Sequence, residues 1–399
     1  MKLKRDKLGN LCLVFADGDW IETKDQSPSG IRLIQTGNIG DGIFKARDEK
    51  SRYISEENFK RLKCTEVIPG DCLISRLPEP VGRSCIIPDI GERMITAVDC
   101  TIVRPDKNKL NSKFLNYFTQ SIDYQSEVDA ETTGTTRKRI SRSRLGSISI
   151  PLPPLAEQER IIAILDQALA AIDIVKTNTE KVLEEVGLVF DSFLSKVLEN
   201  PTAGWEKKTL GEICKIERGS SPRPIKNFVT TKSDGVNWIK IGDTKYVDRY
   251  IYTTKEKITP EGAKKSRLVN VDDFILSNSM SFGKPYIMKT QGYIHDGWFV
   301  LRLPSSINKE YFWYLLSSLF VRSQFDQLAS GAIVQNVSSD LVKKVILPIP
   351  SLHDQEKLVS ELDHIKYKID DLKKLYVEKL IKLDVLKQSI LQKAFSGEL

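Results

Sequence analysis

The groups in this chain that could carry out covalent chemistry are few and poorly arranged for it. Six cysteines (Cys12, Cys64, Cys72, Cys85, Cys100 and Cys214) form no CxxC pair, and five of them fall within the first 100 residues. Three histidines stand at 295, 353 and 364. Zinc sites draw Cys and His into short, fixed spacings, and none occurs here, so the cysteines read as buried thiols in a reducing compartment. His295 has Asp296 beside it in "YIHDGWF", as an acid-base couple would, but no nucleophile lies nearby in sequence. It reads as a hydrogen-bonded structural histidine. Asp48-Glu49-Lys50 resembles a nuclease fragment in composition and reads as a solvated charge cluster. Neither a GxxxxGK[ST] phosphate loop nor an NPPF- or DPPY-like adenine-methyltransferase motif is present. The chemistry left is that of binding, with no metal site and no catalytic residue expected.

Side chains suited to binding are more numerous. The run "TTRKRISRSR" (135–144) sets Arg137, Lys138, Arg139, Arg142 and Arg144 between Gly134 and a helix. Cations clustered without Gln or Asn suit phosphates, and a solvated loop is the competing reading. The aligned stretch "AIVQNVSSDL" (332–341) carries none of these charges. Two pairs of polar loops occupy matching places in the chain: "IQTGN" (34–38) with "IKIGD" (239–243), and "ISRLPEPVGRS" (74–84) with "LSNSMSFGKPY" (276–286). They offer Gln35, Asn38, Arg76, Arg83, Lys240, Asn278 and Lys284 as candidates for DNA contact. Amide and guanidinium groups pair with base edges in the major groove, and glycine lets a backbone come close to a duplex. For any one of them, an ordinary surface turn is the standing alternative.

What must position these loops is a repeat. "PLPPLAEQERI" (151–161) returns as "PIPSLHDQEKL" (348–358), an offset of 197 that holds from Gly134/Gly331 to Lys196/Lys393. Upstream, "IRLIQTG" lies over "VNWIKIG" at offset 205 and "KLGNLC" over "TLGEIC" at offset 202. After each proline pair the apolar residues recur at alternating steps of four and three. In the first copy they are Ile161, Leu165, Ala168, Ile172, Val175, Thr179, Val182, Val186, Val189 and Phe193. Their partners run from Leu358 through Leu362, Ile365, Ile369, Leu372, Tyr376, Lys379, Leu383 and Leu386 to Ile390. That period predicts two coiled-coil helices, each about 66 Å long if about 44 residues are helical. Two equivalent copies in one chain pair most simply about a pseudo-two-fold axis, giving antiparallel helices with a globule at each end. The expected fold is α+β: a first globule over 1–150, a central helical region over 151–200, a second globule over 201–349 and a distal helical region over 350–399.

At 399 residues, the chain has room for two or more domains. No apolar stretch reaches the roughly 18 residues of a membrane span, and the N-terminus lacks a signal-like core, so a cytoplasmic protein without membrane contact is expected. The net charge of +7 is unevenly shared. Residues 1–150 carry 25 Lys+Arg against 21 Asp+Glu, and 201–349 carry 22 against 14. The helical segments carry 4 against 9 and 9 against 9. Cationic globules on neutral or acidic helices suggest polyanion contacts at two places.

"LPPLAEQERI", "LPIPSLHDQEKL", "TLGEIC", "WIKIGD" and the terminal "SILQKAFSGEL" together resemble the specificity subunit of a type I restriction-modification enzyme, across essentially the whole chain. The first copy lacks the GW found at 204–205. The resemblance implies a non-catalytic subunit that recognises double-stranded DNA. Each globule would read one half of an asymmetric bipartite site, and the helices would set the spacer and dock two modification (methyltransferase) subunits. Exposed acids such as Glu180 and Glu184 are the candidate docking positions. No cofactor is implied for this chain. S-adenosyl-L-methionine belongs to the modification partners, and ATP with magnesium to restriction subunits where present. The alternative is a coiled-coil scaffold whose basic ends bind RNA or acidic proteins.

Overall fold

A helix can begin only where the backbone is free to turn, and both long helices start directly after proline-rich segments. A computed structural model of the chain describes residues 3–202, 204–278, 283–330 and 338–399. In it the helices span Leu155–Glu199 and Leu352–Ser396. Ser351 caps the second, its Oγ accepting the Asp354 amide at 3.2 Å. Gly397, at φ 83°, ends it in the left-handed conformation while the Glu398 amide donates back to Lys393. The expected helical regions are therefore shorter at their starts. Ser149–Pro151 and Ile346–Ile349 are strands, paired antiparallel with Arg5–Lys7 and Glu206–Thr209.

The chain divides into two compact units, residues 1–180 with 378–399, and residues 181–377. Each long helix is thus shared between units. The first unit holds two four-stranded sheets. One orders strands 12–17, 100–105, 72–75 and 84–86, all antiparallel. The other orders 26–27, 53–54, 31–34 and 94–96, with 31–34 parallel to 94–96. The second unit repeats both orders, as 215–218, 298–302, 274–277, 285–288 and as 229–230, 256–258, 236–239, 292–294. Each of its sheets gains one edge strand, 250–251 or 267–269.

The recurring "PxP" and "QE" signals act through the buried glutamine. Gln158 donates to the carbonyls of Lys109 and Pro153 and accepts the Asn111 amide. In the second unit Gln355 donates to Ser306 and Pro350 and accepts the Asn308 amide. Both side chains are buried. Each fastens the first turn of a long helix to the N-cap of a globule helix, because Asn111 and Asn308 also cap 112–118 and 309–317. A second repeated link joins Tyr117 to Asp166 and Tyr314 to Asp363.

Inside each unit the two long helices run antiparallel. Lys176 meets Asp384 at 2.6 Å in the first unit, and the second-unit core includes Leu194, Leu198 and Leu362. The packed positions differ from the expected seam. They run through Gln158, Ile161, Leu165, Leu169, Ile172, Lys176, Thr179, Leu183, Val186, Phe190, Leu194 and Leu198, and the same positions 197 residues on face inward in the second helix. From Leu165 to Phe190 the steps alternate between four and three, as in a heptad seam, and the expected seam is right at Ile161, Leu165, Ile172, Thr179 and Val186. At the alternate positions it falls one residue short, where Leu169, Lys176, Leu183, Phe190 and Leu194 face inward. Val175, Val189 and Phe193 are consequently exposed, as are Leu372 and Leu386. Replacing buried Leu169 by Ala is expected to cost about 2–4 kcal/mol, and Val175→Ala less than about 1 kcal/mol, measured by denaturant unfolding. Equal losses would restore the expected seam.

Candidate nucleic-acid interface

The strand 31–34 delivers the first polar loop. Its end turns tightly over Thr36–Asn38 because Asn38 Oδ1 accepts the Gln35 amide at 2.9 Å. The Asn38 side-chain nitrogen is spent on the carbonyls of Lys45 and Ala46, which pins the segment 45–52 beside the turn. Buried Arg32 braces the same segment from below, donating to Ala46 O and Asp48. Asp48, in the expected solvated charge cluster, stays 76% exposed while paired with Arg32. Between the two walls lies a cavity of about 540 Å³ lined by Arg32, Gln35, Asn38, Arg47, Lys50 and Arg52, among others. Asn38, expected to read bases, builds this groove instead. Gln35 lines it.

The loop 76–83 corrects two further expectations. Arg83 is 8% exposed and gives its donors to the carbonyls of Thr36, Ile39, Leu77 and Pro80. It ties the two polar loops together. Arg76 is 5% exposed, paired with Asp17 at 2.9 Å and bonded to Val98 O. In the second unit Asn278 takes the Arg76 place, buried and donating to Asp296 O. All three side chains are buried and bond to the protein's own oxygens, so they shape the loops rather than face solvent. Lys284 is exposed, with its ammonium over the Tyr286 ring at 5.2 Å. Both loops close on a glycine with positive φ, Gly82 and Gly283. A Cβ there would lie 2.9 Å from Val128 or 2.8 Å from Phe325. The part of the second loop at 279–282 lies outside the described residues, as does most of "AIVQNVSSDL".

Gly134, also at positive φ, turns the basic run, and a Cβ would strike the Arg137 carbonyl. Arg137, Lys138 and Arg139 are exposed. Arg139 pairs with Asp99 at 3.1 Å, whereas Arg137 and Lys138 form no ion pair among the described residues. Glu180 and Glu184 are exposed on the first long helix.

The second unit builds its counterpart groove differently. Lys240 stands where Gln35 does, its amide bonded to Asp243 and its ammonium paired with Glu256 at 2.8 Å. Trp238, Val229, Ile225, Ser221, His295 and Asp296 help to line a cavity of about 370 Å³. His295 Nδ1 accepts the Gly297 amide at 2.8 Å, and burial holds its pKa below the ordinary value despite Asp296. It is a neutral structural histidine. The cysteines are buried apart from half-buried Cys12, and none is in a disulfide. Burial pushes the Cys72 and Cys100 thiols up to about 12, which leaves them un-ionised at neutral pH. Among the described residues, no group of His, Cys, Asp and Glu could hold a metal ion, and no helix is long and apolar enough to cross a membrane.

The family model for the type I restriction modification DNA specificity domain matches this chain twice, over residues 4–185 and 202–380. The chain belongs to that family. Among curated members, the StySPI specificity subunit of Salmonella potsdam is 25% identical over 320 residues, covering 75% of this chain and 68% of its own length. The EcoKI specificity subunit of Escherichia coli K12 is 24% identical over 393 residues, covering 92% and 82%. A solved chain from work on complex assembly and conformational transition of the type I R-M system aligns over 100% of this chain and 98% of its own, with a TM-score of 0.78 at 20% identity. The HsdS subunit from Thermoanaerobacter tengcongensis aligns over 99% and 97%, with a TM-score of 0.63 at 21% identity. These likenesses establish the specificity-subunit fold. The grooves are what distinguish its two halves.

The pKa of His295 is depressed in the folded state, so folding favours the neutral ring. Its contribution is complete above the unfolded value of 6.5 and is lost as pH falls through the folded value. Between about pH 7 and about pH 5 the native protein should lose more stability than His295→Asn, which keeps an acceptor but does not titrate in this range. Parallel pH profiles of denaturant unfolding check this, and coincident curves would contradict it.

Proposed function

We propose that this chain is the non-catalytic DNA-recognition subunit of a type I restriction-modification complex. Each globule reads one half of an asymmetric bipartite site in double-stranded DNA. The helical regions set the spacer and dock two modification subunits, with exposed Glu180 and Glu184 among the contacts. Methylation with S-adenosyl-L-methionine belongs to those partners, and ATP- and magnesium-dependent translocation and cleavage to restriction subunits.

The observation that carries this reading is a shared scaffold bearing unlike loops. The two units have in common their strand order, glutamine bracket and tyrosine-aspartate link. Their grooves present Arg47, Lys50 and Arg52 in one case and Trp238, Lys240 and Glu256 in the other. A protein built twice on one frame with different reading surfaces fits a target with two different halves. Two tethered modules also bind more tightly than either alone when their spacing fits the target. Of the expected contacts, Gln35, Arg137, Lys138, Arg139, Lys240 and Lys284 remain accessible for DNA.

Selection from random duplex pools by the chain assembled with its modification subunits tests the reading. A bipartite consensus supports it, and absence of duplex preference favours a scaffold. Within that assay, replacing Arg137, Lys138 and Arg139 together by Ala should weaken binding to every duplex similarly. The salt dependence should flatten by about 0.9 log unit for each phosphate no longer neutralised. A changed consensus with an unchanged salt slope would reject phosphate binding by this run.

A further inference from the structure

The first-unit groove holds one side chain in an unusual setting. Arg47 adopts φ 51° and ψ 49°, the left-handed region that non-glycine residues rarely occupy. The conformation is imposed from both sides. Asn38 and Arg32 clamp the Ala46 carbonyl that precedes it, and Arg32 also holds Asp48, which follows it. The side chain lies across Gly37, the one residue of the facing turn with no Cβ, and a methyl group there would collide with the guanidinium. Arg47 is exposed and has no ion pair or side-chain hydrogen bond among the described residues. Its five donors are therefore unspent, and the side chain lies along the groove that Gln35 also lines. Lys50 and Arg52, on the same wall, are likewise unpaired among the described residues.

We infer that Arg47 determines specificity for the first half-site, its guanidinium donating in bidentate fashion to the O6 and N7 of a guanine in the major groove. Lys50 and Arg52 hold the flanking phosphates. A flexible surface arginine serves a phosphate well enough. One held in the left-handed conformation at the wall of a groove, with its guanidinium against a bare glycine and its donors unspent, brings a planar fork to the place a guanine edge would enter, and that edge presents a matching pair of acceptors. The second-unit pocket carries one lining cation outside an ion pair among the described residues, Lys226, and no arginine in the left-handed conformation. Its Lys240 is neutralised by Glu256, and Arg223 lies 3.9 Å from Asp296. The first half-site is accordingly read with three uncompensated cations and the second with an aromatic pocket that carries one, which makes the two halves unlike in salt response as well as in sequence.

This inference rests on the DNA-recognition reading, and two variants separate the two. Arg47→Lys keeps the charge and loses the fork. Gly37→Ala keeps the arginine but displaces it, and its cost to folding is small because the displaced atoms are the end of a flexible side chain. The native chain and both variants, each assembled with modification subunits, are put through selection from a randomised duplex library. Both variants should lose a guanine preference at one position of one half-site, with the other half unchanged and binding to the native consensus weakened roughly ten-fold. The salt slope should stay as in the native complex. An unchanged consensus in both variants, or uniform weakening with a flatter salt slope, would overturn the assignment. A native complex that selects no sequence would instead overturn the DNA-recognition reading beneath it.

Discussion

The constraint on which the rest of this structure depends is that neither globule closes its own core. In the first unit the helices 112–118 and 122–131 pack around Phe114, Phe118 and Tyr124, and the gap is filled by Leu391, Ala394 and Phe395 from the end of the chain. The Phe395 ring sits edge-on to Phe114 and Phe118, with centroids 5.2 and 5.1 Å apart. In the second unit Leu194 and Leu198, from the first long helix, complete the core around Phe312 and Leu315. Burying one such aromatic contributes about 1.5–3 kcal/mol, and edge-to-face packing adds about 0.5–1.5 kcal/mol. Each globule is thus joined at two points to the helices. The glutamine bracket fixes the start of one, and apolar packing fixes the end of the other.

This arrangement separates what must stay constant from what is free to vary. The buried glutamines, the tyrosine-aspartate links and the glycines at 82 and 283 all lie where globule meets helix or loop meets helix. The polar loops meet this frame at those two glycines, and their exposed side chains point away from it. The exchange of Gln35 for Lys240 therefore leaves the frame intact while changing the surface offered to a ligand, and that of buried Arg76 for Asn278 changes how the loop is braced from within. A recognition protein of two unlike specificities follows from one duplicated scaffold with little structural cost.

Much of this is legible in the sequence. The offset of 197 locates the helices, and the prolines locate their starts to within a few residues, because proline punctuates backbone structure by covalent geometry. The inward face of the helices is legible in every other position. The heptad period places Ile161, Leu165, Ile172, Thr179 and Val186 correctly, whereas Val175, Val189 and Phe193 miss by one residue, because an apolar side chain next to the true position satisfies the same alternation of four and three. The loops mislead for a different reason. Arg83 and Arg76 sit among Gly and Pro and look like surface residues, yet loops that fold back on a sheet leave carbonyls unpaired, and arginine satisfies several at once. Arg47 is hidden in sequence because it adjoins a mixed-charge run. That Asp48 is engaged by Arg32, leaving Arg47 unpaired, is a tertiary fact with no local signature.

The most direct test of core completion from a distance is hydrogen exchange on the full chain carrying Phe395→Ala. The substitution should cost about 3–5 kcal/mol locally. It should strip amide protection from residues 112–118 and 122–131 while leaving 309–317 as protected as in the native chain. Undiminished protection at 112–131 would contradict the account, since it would mean that the first globule closes its core without the far helix.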